Sequence, residues 1–105
     1  MPKSEGSWSD LHDATLLRVE VVWESGMVTL HVKTASTPGT RVIAFGARLL
    51  ECPRRAPWGP SVSINEVRGP ARTPDGLRNR IEMELQSGDT LVIEAERFQL
   101  TSSPP

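Results

Sequence analysis

A chain of 105 residues, 37% hydrophobic and 24% charged, has room for one core, because domains of this size bury roughly two-thirds of the surface their unfolded chains expose. It also lies outside the apolar-poor, highly charged range of disordered sequences. No window approaches the roughly 18 consecutive apolar residues of a membrane span, and the opening Met1-Pro2-Lys3-Ser4-Glu5-Gly6-Ser7 lacks the apolar stretch of a secretory signal, so a cytoplasmic protein without membrane contact is expected.

Ser7 to Ala14 is the one stretch suited to a helical turn. Thr15 to Trp23 then alternates, with Leu17, Val19, Val21 and Trp23 on one face and Leu16, Arg18, Glu20 and Val22 on the other, which is the period of a strand. Glu24-Ser25-Gly26 is a turn, and Met27 to Thr34 alternates again with Val28, Leu30 and Val32 inward, so the two form a hairpin. Ser36-Thr37-Pro38-Gly39 breaks the chain. Arg41 to Cys52 is a longer extended run in which Gly46 marks a bulge or bend.

Pro53-Arg54-Arg55-Ala56-Pro57-Trp58-Gly59-Pro60 is too rich in proline for a central strand and reads as an ordered loop. Ser61 to Val67 resumes a strand, Gly69 to Gly76 is a second long connection, and Leu77 to Gln86 alternates with Leu77, Asn79, Ile81, Met83 and Leu85 on one face. Ser87-Gly88-Asp89 turns the chain into Thr90 to Leu100, whose inner set is Leu91, Ile93 and Ala95. The expected fold is therefore all-β, a single domain over 1–105 with flexible tails at 1–7 and 101–105. Its architecture reads as an antiparallel β-sandwich or small curled barrel of six to seven strands built from hairpins.

Net charge is −1, but the distribution is uneven: residues 41–80 carry +5, with arginines at 41, 48, 54, 55, 68, 72, 78 and 80, and residues 81–105 carry −4. Either the basic middle contacts an acidic partner or neighbouring strands pair opposite charges across the sheet, the second reading being the more economical. Nucleic acid is disfavoured as a partner. Arg54 and Arg55, supported by Arg41, Arg48 and Arg68 if these lie on one face, would supply phosphate contacts, yet the chain is slightly acidic, has no tyrosine and only two phenylalanines for base stacking.

Catalytic chemistry lacks a complete set. Cys52, the single cysteine, excludes a disulfide within the chain and a structural zinc site of thiolates, and reads as a buried, inert thiol. Ser61 and Ser63 sit in no nucleophile pattern, and no cofactor motif is present. Asp10, His12 and Asp13, with His31 from the first hairpin, are donor types that suit a divalent metal if they converge. The simpler reading has Asp10 capping a turn and His12 bonded to backbone.

Arg54, Arg55 and Trp58 form the strongest binding candidate, because prolines stiffen the loop and tryptophan with arginine is the pairing enriched in interface hot spots. A protein partner follows from this reading, with a homodimer that extends its own sheet as a further possibility. The opposing structural reading has Trp58 plugging one open end of the sheet.

Leu11-His12-Asp13-Ala14-Thr15-Leu16, the strand ending Val22-Trp23, Pro57-Trp58-Gly59-Pro60-Ser61 and Gln86-Ser87-Gly88-Asp89 together resemble small all-β bacterial proteins with a Leu-His-Asp-Ala opening and no assigned function. The opening, with Trp8 ahead of it, is also similar to immunity-protein families of bacterial toxin systems. That resemblance implies a cytoplasmic inhibitor that covers a toxin's active surface, an acidic one being suited to the basic middle, and it carries over no catalytic residues. The resulting expectation is a non-catalytic binding domain, a protein-interaction or immunity-type inhibitor module without cofactor, set against a small metal-binding protein or metal-dependent enzyme centred on Asp10, His12 and Asp13.

Overall fold

A computed structural model describes residues 8–34, 39–53 and 62–102 of the chain. Among the described residues a 3-10 turn, Trp8–Leu11, precedes eight strands: β1 (Thr15–Val22), β2 (Met27–Lys33), β3 (Thr40–Phe45), β4 (Leu49–Glu51), β5 (Val62–Arg72), β6 (Asn79–Leu85), β7 (Thr90–Ala95) and β8 (Arg97–Ser102). All pairings are antiparallel and the strands form one sheet of order β4-β7-β6-β5-β1-β2-β3-β8, not closed into a barrel. The all-β expectation holds.

Alternation builds this sheet and its core. Val28, Leu30 and Val32 of β2, Ile81, Met83 and Leu85 of β6, and Leu91, Ile93 and Ala95 of β7 are buried together with Leu16, Val42, Ala44, Ile64 and Leu100 in one cluster, their β-branched and aliphatic side chains filling one face of a pleated surface. Trp8 closes over the cluster and meets Phe98 edge to face, ring centroids 6.4 Å apart. The tryptophan that carried the immunity-protein likeness is thus a packing residue.

Eight strands rather than six or seven arise because both long runs are bent. Phe45 lies opposite Arg97 before the bend and Leu49 opposite Glu94 after it, with one residue more on the Phe45-to-Leu49 side, the imbalance that defines a bulge. Gly46 sits at the corner with φ +65°, where a Cβ would come within 2.7 Å of the Glu96 side chain. The expected run Arg41 to Cys52 is therefore β3 and β4, and Thr90 to Leu100 is β7 and β8.

Three expectations are corrected. β5 continues through Gly69-Pro70 to Arg72 where a loop was expected, because the two residues are absorbed as an irregularity between Arg68 and Ala71 in the ladder with β6, joined by a cis peptide. Leu77 is not the first inward residue of β6 but 72% exposed. Asp75 accepts the Leu77 N–H at 3.0 Å and the Thr73 N–H bonds the Arg78 carbonyl at 2.9 Å, which holds Leu77 in a turn. Thr101 and Ser102, expected in a frayed tail, pair with Arg41 and Thr40.

In β1 the register shifts between Leu16 and Arg18, so the inward face passes from buried Leu16 to Val19, and Leu17 is left exposed. A one-residue slip changes the face of every later side chain. Val21, opposite buried Val28, and Val22 on the other face are both exposed because they lie at the strand's end.

Candidate binding groove at the hairpin tip

The turn between β1 and β2 is closed by the Gly26 N–H bonding the Val22 carbonyl at 3.0 Å. Gly26 takes φ +68°, a left-handed conformation that glycine adopts without a Cβ clash. Its carbonyl accepts the Ala47 N–H at 2.8 Å, so the hairpin tip is fastened to the corner between β3 and β4. Beyond that bond β4 runs on, while the hairpin ends.

The space between them is a groove of about 430 Å³ with Val21, Trp23, Val28, Ala47, Leu49 and Leu50 in its walls. Trp23 stands at its rim 90% exposed. Among the described residues Arg48 is the one charged side chain in the lining, and neither it nor the exposed Glu51 enters an ion pair with another of them. β4 pairs only with β7 among the described residues and ends the strand order, so among those residues its other edge carries backbone groups that no strand takes up.

Arg54, Arg55 and Trp58, the binding residues expected from sequence, lie outside the described residues, as does the Asp10 side chain. They follow β4 directly in the chain. Cys52, expected to be buried, is exposed, because β4 ends the sheet beside it.

His12 and Asp13 form an exposed pair, Nδ1 to Oδ2 3.2 Å, on a turn in which the Asp13 N–H bonds the Ile64 carbonyl at 2.8 Å. His31 is not brought to them: its Nε2 lies 2.5 Å from Glu20 Oε1 on the outer face of the β1–β2 ladder. Among the described residues no three His, Cys, Asp or Glu side chains converge as metal donors. The Glu20 carboxyl is held below the usual glutamate range by its bond to His31 and, secondarily, by Arg18 2.7 Å away.

Three arginines of the basic middle are paired within the sheet. Arg68 of β5 meets Glu82 and Glu84 of β6 at 3.2 and 3.6 Å, and Arg78 and Arg80 meet Glu94 of β7 at 3.3 and 2.7 Å. Glu82 is kept ionised below its usual range by Arg80 first and Arg68 second. Strand-to-strand charge pairing, the more economical of the two sequence readings, is thus realised for these arginines.

Trp23 and the pair Leu49-Leu50 were not singled out by sequence reasoning. Their signal is positional: a tryptophan directly before the Glu24-Ser25-Gly26 turn leaves the sheet with the hairpin tip, and two adjacent leucines on a strand cannot both face one core. Comparison with protein-family models, with curated proteins and with solved structures finds no match to this chain.

Proposed function

We propose that this chain is a non-catalytic binding module that takes a protein partner in the groove at the β1–β2 hairpin tip. The observation behind the proposal is Trp23, 90% exposed beside an apolar groove. A tryptophan offers about 200 Å² of surface, and removing it from water at about 25 cal/mol per Å² is worth on the order of 5 kcal/mol of transfer free energy before ordering costs. Few surface residues of a small protein hold that much unspent binding capacity.

Arg54, Arg55 and Trp58 belong to the same reading, since they continue the chain from β4 and supply the residue types that dominate interface energetics. In its immunity-type form the module is a cytoplasmic inhibitor and the partner a toxin. The Leu11-His12-Asp13-Ala14 opening supports that form by resemblance alone.

The test is affinity capture from lysate of the source cells with the native chain, Trp23→Ala, Leu50→Asp and the triple variant Arg54→Ala, Arg55→Ala, Trp58→Ala, each captured protein then being purified and titrated. Loss of a hot-spot tryptophan costs about 2 kcal/mol or more, roughly thirtyfold in affinity. A partner weakened to that degree by Trp23→Ala is the expected result. A partner held equally by native and Trp23→Ala chains removes the groove from the interface, and light scattering that shows a stable dimer abolished by Trp23→Ala replaces the foreign partner with a second copy.

A further inference from the structure

Resting on the groove reading, we infer that the occupant is an extended segment of another polypeptide that adds to the edge of β4 left unpaired among the described residues, carrying a carboxylate and a cation separated by two apolar residues. Strand addition is the recognition mode that a sheet-ending strand beside an apolar groove supports, backbone bonds supplying affinity and side-chain pockets specificity. β4 and the residue before it present Arg48, Leu49, Leu50 and Glu51 in succession, and both charged members are exposed and without an ion pair among the described residues.

The complementary strand places an acid opposite Arg48, apolar side chains opposite Leu49 and Leu50, and a base opposite Glu51, since opposite charges across a ladder attract and like charges repel. Running antiparallel to β4, its order from the N-terminus is base, apolar, apolar, acid. Running parallel, the order is reversed. Pro53 lacks an N–H and stops the usable edge soon after Glu51. The ladder is therefore short, and Trp23 with the groove walls must supply much of the affinity.

A second copy of this chain does not fit the edge in this register. Two identical edge strands meeting about a two-fold axis place opposite one another only residues from the same face, which are an even number of positions apart. Arg48 and Glu51 are separated by an odd number of positions, so a symmetric pair leaves both charges unmatched. A heterologous segment escapes that constraint.

A library of random peptides about a dozen residues long, displayed and selected on the whole chain, tests this. The expected enrichment is acid and base flanking two apolar residues. Selection on Arg48→Glu should exchange the acid for a base, and N-methylation of alternate amides in a selected peptide should weaken it about tenfold or more. Enriched peptides that lose affinity with Trp23→Ala yet show no charge spacing and ignore N-methylation overturn strand addition and leave the groove reading standing. Peptides indifferent to Trp23→Ala, or no enrichment over bare support, overturn both.

Discussion

The backbone N–H of Ala47 donates to the carbonyl of Gly26 at 2.8 Å, and through this bond the tip of one hairpin is held against the corner of another strand. Trp23 and β4 keep their separation because of it, and the groove is the space so defined.

Gly26 is the sensitive half of this contact, because at φ +68° an added Cβ meets its own backbone and comes within 3.4 Å of the Ala47 nitrogen. Gly26→Ala should lower stability by about 1 kcal/mol, measured by urea denaturation. It should also weaken groove ligands beyond what that loss of folded protein explains.

Gly69 and Gly88 separate backbone conformation from crowding. Both have positive φ, +98° and +97°, but a Cβ at Gly69 would lie 2.5 Å from the Arg80 carbonyl whereas one at Gly88 meets nothing within 4 Å. Gly88→Ala should cost about 1 kcal/mol and Gly69→Ala about 3 kcal/mol or more, enough to unfold a marginal domain. Equal losses in parallel denaturation curves would show that the β5–β6 ladder yields to the methyl group.

Among the ion pairs Glu94 matters most, since its side chain is only 15% exposed and it serves both Arg78 and Arg80. Glu94→Gln should destabilise by about 1–2 kcal/mol by removing the less exposed of the two carboxylates that each arginine meets, leaving Arg78 with Asp75 and Arg80 with Glu82. Glu84→Gln, on an exposed partner of Arg68, should change stability by less than about 0.5 kcal/mol. High salt should narrow the first difference only slightly.

Stability should fall on the acid side. Glu20, Asp75 and Glu82 all titrate below their ordinary values in the folded chain, held there chiefly by His31, by the Thr73 hydroxyl and by Arg80 respectively. A lowered carboxylate contributes stability that is fully present above its unfolded pKa and is lost as pH falls through the folded one. The melting temperature should therefore hold steady from neutrality down to the ordinary carboxylate range and decline below it. Thr73→Ala removes the largest influence on Asp75, and carbon-detected NMR titration should then find Asp75 nearer its ordinary range.

Much of the sheet was legible because one face is buried. The inward sets of β2 and β7 read correctly from period two, as did Ile81, Met83 and Leu85 of β6 and the Gly26, Gly46 and Gly88 turning points. Two of the failures share a cause: an extra residue in a ladder is invisible to alternation. The Leu16–Arg18 shift left Leu17 outward, and Gly69-Pro70 looked like a loop because glycine and proline mark turns far more often than they mark an irregularity inside a strand.

The site was less legible than the fold. Arg54, Arg55 and Trp58 were chosen for residue type, which a sequence displays, whereas the groove depends on where β4 passes the hairpin tip, a long-range relation. No local pattern joins Trp23 to Leu50. The charge pairing of β5, β6 and β7 was anticipated in kind but not in its partners, since register decides which glutamate each arginine meets.

Site-specific photo-crosslinking in living source cells will decide whether the groove is an interface. A photoreactive phenylalanine derivative is placed at position 23 and, as an equally apolar control on the far turn, at position 77, where Leu77 is 72% exposed. A discrete crosslinked protein formed from position 23 and absent from position 77 is the expected result. Crosslinks from position 77 alone, the same products from both, or none from position 23 would contradict a binding groove beside Trp23.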